Sequence, residues 1–131
     1  MPHDARAAEV EAWLARATQD LRAAQVDLEA EPSLGADAAF HCQQAVEKAL
    51  KALLTHHDHP FRKTHDIGEL AFACVAHEPS LETLLRESAP LTEYVWRFRY
   101  PGEVFEPDPD EVVTALDLAR QVVAEVTSRV E

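Results

Sequence analysis

Hydrophobic residues recur at steps of three and four along most of the chain, the spacing of one face of an α-helix. The first stripe predicts a helix with Asp4 as its N-cap that ends before Glu31 and Pro32, because proline disfavours a helical residue ahead of it. Asp20 and Asp27 are expected mostly on the other faces of this helix. The stripe consists of Val10, Trp13, Leu14, Ala17, Leu21, Ala24 and Leu28.

A second helix is predicted from about Asp37 to His57, followed by a polar connection that Pro60 breaks. Glu47 and Lys51 lie four residues apart on it, and we expect a surface ion pair of small energetic value. The expected polar side carries His41, Gln44, Lys48 and Lys51. The apolar stripe is Ala39, Cys42, Val46, Ala49, Leu50 and Leu53.

A short third helix is predicted to begin at Asp66, since Asp66 and Glu69 have the spacing of a capping box. After residues 79–80 comes a fourth helical stretch with Pro90 inside it, so we expect a kink or two abutting helices. The sequence Pro101-Gly102 ends that stretch. Its apolar residues are Leu81, Leu84, Leu85, Leu91, Val95 and Phe98, and those of the third helix are Ile67, Leu70, Ala71 and Cys74.

The last helix has the clearest start signal in the chain. Asp108 is placed as N-cap, Pro109 as the first helical residue and Glu111 as the third. Its predicted apolar stripe is Val112, Val113, Leu116, Ala119, Val123, Val126 and Val130. Four long helices and one short helix predict an all-α antiparallel up-and-down bundle of four to five helices, formed by a single domain over residues 1–131.

Composition supports helices and restricts the partners. Glycine occurs only 3 times, which is unfavourable for strands joined by tight turns. The net charge is −12, from 24 acidic and 12 basic residues, so the chain as a whole is unsuited to binding nucleic acid. An RNA contact needs a local basic patch or a partner, whereas an acidic surface suits docking onto a basic protein.

Cysteine usage and hydropathy point to a cytoplasmic protein with no membrane segment. Cys42 and Cys74 sit among apolar neighbours without zinc spacing, so we expect buried thiols rather than a disulfide. No apolar run approaches the length of a membrane span or a signal peptide.

A cluster of histidines raises the question of a metal site. His56, His57, His59, His65 and Asp66 fall within eleven residues. A closed zinc site needs a defined set of cysteine or histidine ligands, and phosphohydrolases of the His-Asp type need further ligands along a longer chain. We therefore expect no functional metal and no cofactor, with Asp66 acting as a helix cap.

Three motifs carry a family resemblance. They are AFHCQQAVEKALKALL at residues 39–54, HDIGEL at 65–70 and RFRYPG at 97–102. In this order and spacing they resemble the HEPN domain family (higher eukaryotes and prokaryotes nucleotide-binding), over roughly residues 10–101. The family's prokaryotic members show a similar Phe-x-x-Gln-Gln-Ala-x-Glu-Lys-x-x-Lys-Ala helix, a His-Asp helix start and an Arg-Tyr-Pro ending.

The resemblance implies a helical up-and-down bundle that commonly dimerises. Such proteins are often encoded beside a minimal nucleotidyltransferase as a toxin–antitoxin-like pair. Some members are ribonucleases whose site is an arginine followed four to six residues later by histidine, assembled across a dimer cleft. Others are non-catalytic binding partners.

The chain departs from the ribonuclease pattern, because no histidine follows His77. Arg97 and Arg99 therefore lack the family's partner histidine. They could stabilise phosphate charge but not transfer the protons that RNA cleavage requires. The leading hypothesis is a dimeric partner of a minimal nucleotidyltransferase. One alternative is a metal-independent ribonuclease that uses His41 or His65 as base, and another is a non-catalytic scaffold.

No catalytic residue is assigned, but a nucleotide- or RNA-binding surface is predicted. Tyr94 and Trp96 beside the arginines suit base stacking, although for Trp96 core or dimer packing is favoured. The arginines could instead pair with nearby acids. Gln43 and Gln44 either belong to a solvated face of the helix or, alternatively, hydrogen-bond across the bundle or line the cleft. The predicted binding residues are Arg97, Arg99, Tyr100, Gln44, Lys48 and His65.

Overall fold

The computed structural model describes residues 2–95 and 106–131, and within these ranges the chain is helical and contains no strand. Two short 3₁₀ segments, Pro79–Leu81 and Ala89–Val95, flank the fourth helix. The predicted all-α bundle is confirmed. Its helices are α1 (His3–Glu29), α2 (Gly35–His56), α3 (Ile67–His77), α4 (Glu82–Ser88) and α5 (Pro109–Val130).

Helix α2 lies at the centre of the bundle, in contact with α1, α3, α5 and the second 3₁₀ segment. Its most extensive contact is with α1, and both helices carry fully buried alanines. Small side chains allow two helix backbones to approach closely, so polar residues at the same interface are brought near one another. The buried alanines are Ala17 and Ala24 on α1, with Ala38, Ala39, Ala45, Ala49 and Ala52 on α2.

The predicted stripe of α1 packs on the core, but two expectations for this helix were wrong. Asp4 does not cap it, because the helix begins at His3 with Pro2 at the N-cap position. Asp4 lies in the first turn, where a carboxylate still interacts favourably with the helix dipole. Asp20 and Asp27 are buried rather than turned away, since they lie beside Ala17 and Ala24 on the face that meets α2.

The ends of α2 lie close to their predicted positions. The helix begins at Gly35, two residues before Asp37. At its other end Asp58 takes a left-handed backbone conformation with φ of 53°. His59 N–H then donates to the Leu54 carbonyl at 2.9 Å, as in a Schellman motif.

Two predicted caps are present. Asp66 accepts a hydrogen bond from the Glu69 backbone N–H at 3.3 Å, and Asp108 accepts one from Asp110 at 2.9 Å. The capping box at α3 is only half formed, because the Glu69 carboxylate accepts hydrogen bonds from Arg62 instead.

The stretch around Pro90 forms two abutting helices, which was one of the two structures predicted for it. Helix α4 ends at Ser88, and a 3₁₀ segment continues from Ala89 to Val95. Proline has no N–H to donate and its ring clashes with the preceding turn, which explains why the α-helix stops there. The predicted end at Pro101-Gly102, and Phe98, lie outside the described residues.

One predicted core position on α5 was wrong. Val113 is 50 % exposed, whereas Val112 and Val122 are fully buried. Val113 lies about 100° around the helix from Val112, on the exposed side of α5. The buried face also includes Ala115, Leu116, Ala119, Val123 and Val126.

Both cysteines are buried free thiols, as expected. Burial raises the pKa of Cys42 and of Cys74 to about 12, so neither is a reactive thiolate at neutral pH. None of the helices in the described ranges is long and apolar enough to cross a bilayer.

Candidate functional site

Three polar side chains form a buried column along α2. Gln43, Glu47 and Lys51 lie four residues apart on one face, and they are 0 %, 3 % and 6 % exposed. Glu47 accepts a hydrogen bond from Gln43 Nε2 at 3.1 Å and one from Lys51 Nζ at 3.0 Å. The expected surface pair of Glu47 and Lys51 was therefore wrong, since the pair is inside the bundle.

Aromatic rings cover the lysine end of this buried column. The Lys51 ammonium lies 5.5 Å from the centroid of the Trp13 ring, and Phe61 packs edge-on against Trp13 at 6.4 Å. A cation over an aromatic face regains part of the stabilisation it loses on leaving water. The ion pair itself is almost fully buried, so each charge depends on its partner.

His65 docks onto the column from the segment that precedes α3. Its Nδ1 lies 2.8 Å from Glu47 Oε1, and its backbone carbonyl accepts a hydrogen bond from Gln43 Nε2 at 3.1 Å. Gln44 donates to Gln43 Oε1 at 2.6 Å. Two of the predicted binding residues, Gln44 and His65, are thus joined through the column.

The contact with Glu47 fixes the orientation of the His65 ring. The imidazole is 62 % exposed, while the carboxylate that holds it is almost fully buried. A carboxylate at Nδ1 favours the tautomer with the proton on that nitrogen, so Nε2 carries the lone pair. Such an imidazole can accept a hydrogen bond or a proton from a bound molecule.

Glu47 is held in its ionised form by its neighbours. Burial acts to raise its pKa, but hydrogen bonds from His65, Lys51 and Gln43, with the charge of Lys51, outweigh burial and lower the pKa below its ordinary value. Glu47 is therefore a carboxylate at neutral pH. The buried column carries one negative and one positive charge that compensate each other.

Lys48 belongs to a second group, between α1 and α2. Its Nζ donates to Asp20 Oδ2 at 2.6 Å, and Asp20 Oδ1 lies 2.8 Å from His41 Nδ1. His41 Nε2 is 3.4 Å from Asp37 Oδ2. We call Asp20, Asp27, Asp37, His41 and Lys48 the interhelical acidic cluster; Lys48 thus does not join Gln44 and His65.

Asp27 is the most perturbed carboxyl group of this cluster. Burial raises its pKa, and so do a hydrogen bond with Asp37 and the like charge of Asp37; His41 acts in the opposite direction, and the result is about 6. The carboxyl groups of Asp27 and Asp37 can share a proton, whereas two ionised carboxylates repel each other.

Replacing Asp27 by Asn is expected to stabilise the folded chain at pH 7 by on the order of 2 kcal/mol, because the amide is uncharged and can still donate to Asp37. The pKa is about 6 in the folded state against 3.8 as the ordinary value. The folded wild-type chain therefore binds more protons and loses stability as the pH rises between these values. Urea unfolding in EDTA at pH 3.5 and pH 7 measures the effect.

In that experiment the unfolding free energy of Asp27→Asn should exceed that of the wild type at pH 7, and the difference should vanish at pH 3.5. The control is Asp117→Asn, which removes an exposed carboxylate of α5 and should show no comparable pH dependence. Equal stability of wild type and Asp27→Asn at both pH values would contradict the prediction.

The remaining predicted binding residues have different outcomes. Arg97, Arg99 and Tyr100 lie outside the described residues, and so does Trp96. Tyr94 is buried and its hydroxyl donates to Glu111 at 2.7 Å. Its ring is therefore committed to the core and does not offer a base-stacking face.

A match to a family model confirms the resemblance. The model described as HEPN domain matches residues 10–129, nearly the whole chain. The chain belongs to the HEPN domain family. HEPN domains are generally ribonuclease- or toxin–antitoxin-associated modules and commonly dimerise. No curated protein and no solved structure matches the chain.

Two of the three HEPN motifs meet at the buried column. Residues 39–54 supply Gln43, Gln44, Glu47 and Lys51, and the HDIGEL motif supplies His65. Three polar residues of the first motif, Gln43, Glu47 and Lys51, are therefore packed inside the domain. Of the alternatives for the glutamines, hydrogen bonding within the bundle is confirmed for Gln43, while Gln44 remains half-buried beside it.

The histidines of this HEPN chain separate into two places. His65 joins the column, whereas His59 Nδ1 lies 3.0 Å from His77 Nε2 and His57 stacks on His77 at 4.4 Å between centroids. Burial and the nearby charges of His77 and His56 lower the pKa of His57, against the opposing effect of Glu78. His65 thus does not share one metal site with His57 and His59.

Proposed function

We propose that this HEPN chain is a cytoplasmic, dimeric partner of a minimal nucleotidyltransferase in a toxin–antitoxin-like pair. Its nucleotide- or RNA-binding surface contains Gln44 and His65, together with Arg97, Arg99 and Tyr100 of the third motif. Lys48 is assigned to the edge of this surface. The observation that supports the proposal most directly is the exposed imidazole of His65, fixed at Nδ1 by a buried carboxylate.

The physical reason for assigning this surface is that the buried column costs free energy of folding. A domain of this size has only about 5–15 kcal/mol of net stability, and a buried ion pair is often no better than apolar residues of similar volume. Structural stability alone therefore gives little reason for this arrangement. The column does, however, hold His65 and Gln44 in defined orientations, as a binding site requires.

The charge of the chain favours a protein partner over free nucleic acid. With a net charge of −12, the domain repels RNA except where arginines are clustered. A basic partner surface would be attracted instead, and the partner would supply the cations that this chain lacks.

A second candidate function is ribonuclease activity with His65 as general base. His65 is favoured over His41 for this role, because the His41 ring lies between the carboxylates of Asp20 and Asp37 and its side chain is only 25 % exposed. Glu47 would orient His65 and stabilise the imidazolium that forms when it accepts a proton.

The test first looks for a minimal nucleotidyltransferase gene beside this one, and then uses the full chain with and without that protein. Light scattering measures the mass of the chain alone, and co-purification measures the complex. Incubation with structured RNAs in EDTA tests cleavage by wild type, Arg99→Ala and His65→Gln, with His59→Gln as a matched histidine control.

A dimer that binds the nucleotidyltransferase without cleaving RNA supports the partner function, and weaker binding of nucleotide or RNA by Arg99→Ala and His65→Gln supports the surface. A strictly monomeric mass at micromolar concentration overturns the dimer. Cleavage that Arg99→Ala and His65→Gln abolish but His59→Gln retains overturns the non-catalytic function in favour of the ribonuclease.

A further inference from the structure

We propose that Asp27, Asp37 and His41 bind a first-row divalent cation of the Zn²⁺ or Mn²⁺ type, which joins the end of α1 to the start of α2. One ligand atom of each residue lies within 4.8 Å of the other two. Ligand atoms about 2 Å from a zinc ion are roughly 3–4 Å apart. Because the Asp37 side chain is half exposed, a small rotation of it brings all three atoms into one coordination sphere.

His41 is already oriented as a ligand. Asp20 lies 2.8 Å from its Nδ1, which favours the proton on that nitrogen and leaves the lone pair on Nε2. Nε2 is 3.4 Å from Asp37 Oδ2. A histidine that donates one N–H to a carboxylate and presents the other nitrogen to a metal is the usual arrangement in metalloproteins.

The contact with Lys48 makes Asp20 a supporting carboxylate rather than a ligand. The Lys48 Nζ lies 2.6 Å from Asp20 Oδ2, so both oxygens of Asp20 are occupied, one by the lysine and one by His41. Asp20 is therefore a positioning residue, while Asp27 and Asp37 remain as oxygen ligands. Three carboxylates face one ammonium group, which leaves the cluster attractive to a cation.

Asp27 supplies an independent indication of a ligand. The residue is only 9 % exposed, and its Oδ2 is buried with no hydrogen-bond partner in the described part of the chain. A buried polar atom without a partner costs free energy. When Asp27 and Asp37 are both ionised, neither can donate to the other, so a cation satisfies Oδ2 in a way that the neighbouring carboxylate cannot.

The ligand set selects the class of ion. Two carboxylates and one imidazole suit Zn²⁺ or Mn²⁺, whereas Ca²⁺ and Mg²⁺ prefer sites made of oxygen atoms alone. The half-exposed side of Asp37 gives the ion access from solvent, and water completes its coordination. Since the ligands come from two helices joined by residues 30–34, binding closes this turn and stabilises the folded state.

Isothermal titration calorimetry of the full chain with ZnCl₂, MnCl₂ and MgCl₂ tests the site. The variants are Asp37→Asn, whose position is half exposed, and His41→Gln; the control is Asp117→Asn, which removes the same charge from α5. We expect one Zn²⁺ or Mn²⁺ per chain with the wild type and the control, and at least tenfold weaker binding in both variants. The melting temperature should rise with Zn²⁺ in the wild type and the control only.

The histidine pair beyond the C-terminal end of α2 is the rival site, because His59 Nδ1 and His77 Nε2 lie 3.0 Å apart. A His59→Gln and His77→Gln double variant removes that pair and should retain the binding. Loss of binding in the double variant, or unchanged affinity in Asp37→Asn, overturns the proposal, as does tighter binding of Mg²⁺ than of Zn²⁺ and Mn²⁺. If His41→Gln does not fold in EDTA, as judged by circular dichroism, the affinity of Asp37→Asn alone decides the test.

Discussion

The Glu47→Gln variant is expected to lose about 3–5 kcal/mol of unfolding free energy, because it leaves the buried ammonium of Lys51 without its carboxylate. The pair is 3.0 Å apart with both side chains more than nine-tenths buried. The glutamine side chain is nearly isosteric with that of glutamate, so the loss measures the uncompensated charge rather than a cavity. Urea denaturation at pH 7, followed by circular dichroism, provides the measurement.

The matched control is Glu82→Gln on α4. Glu82 and Arg86 also form an ion pair four residues apart, but both side chains are more than half exposed. Loss of an exposed pair costs less than about 1 kcal/mol. A Glu47→Gln and Lys51→Met double variant should recover most of the lost stability, because apolar replacement of a buried pair is often neutral. Equal losses at Glu47 and Glu82 would refute the argument from burial.

The same variant has a defined pH dependence. The pKa of Glu47 lies below its ordinary value, so its contribution to stability is present at neutral pH and disappears as the pH falls through the folded-state pKa. At that point the wild type also holds Lys51 without a carboxylate. The difference between wild type and Glu47→Gln should therefore shrink in acid, and a constant difference down to pH 3 would argue against an ionised Glu47.

Replacing Leu50 by Ala is expected to cost about 2–5 kcal/mol, the range for a large side chain removed from a rigid core. Leu50 is fully buried on α2, and its carbonyl faces the Cys74 thiol at 3.6 Å. Helices α1, α3 and α5 all pack on α2, so no single neighbour can move in to fill the cavity. Thermal and urea unfolding at pH 7 measure the loss.

Leu34→Ala serves as the control for Leu50→Ala. Leu34 precedes α2 and its side chain is exposed, so the same substitution should change stability by less than about 0.5 kcal/mol. A loss below about 1 kcal/mol at Leu50 would mean that α2 is not the rigid centre of the domain.

The sequence alone determined the helices and most of their ends, because these features are local. A stripe at steps of three and four depends only on helix geometry, so the apolar face of α2 was predictable from Ala39 to Leu53. The caps at Asp66 and Asp108, and the break near Pro90, follow from hydrogen bonds within a few residues of each position. The HEPN assignment likewise rested on motifs that are continuous in sequence.

Tertiary packing decided which polar residues are buried. Four-residue spacing is the same for the buried pair Glu47–Lys51 and the exposed pair Glu82–Arg86, so spacing cannot distinguish them. The sequence signal was weak, since at 100° per residue the apolar positions of residues 45–54 span about two thirds of the helix circumference and the charged positions form a continuous stripe on the rest. The prediction of a surface pair followed instead from the general rule that charged residues are exposed.

The partners of the site residues could not be predicted from the local sequence either. His65 meets Glu47 across 18 positions of sequence, and Lys48 meets Asp20 across 28. Gln44 and Lys48 lie four residues apart on α2, yet one joins the buried column and the other the interhelical acidic cluster. Which group a side chain joins depends on the segment that packs over it, and that is fixed by the arrangement of the whole bundle.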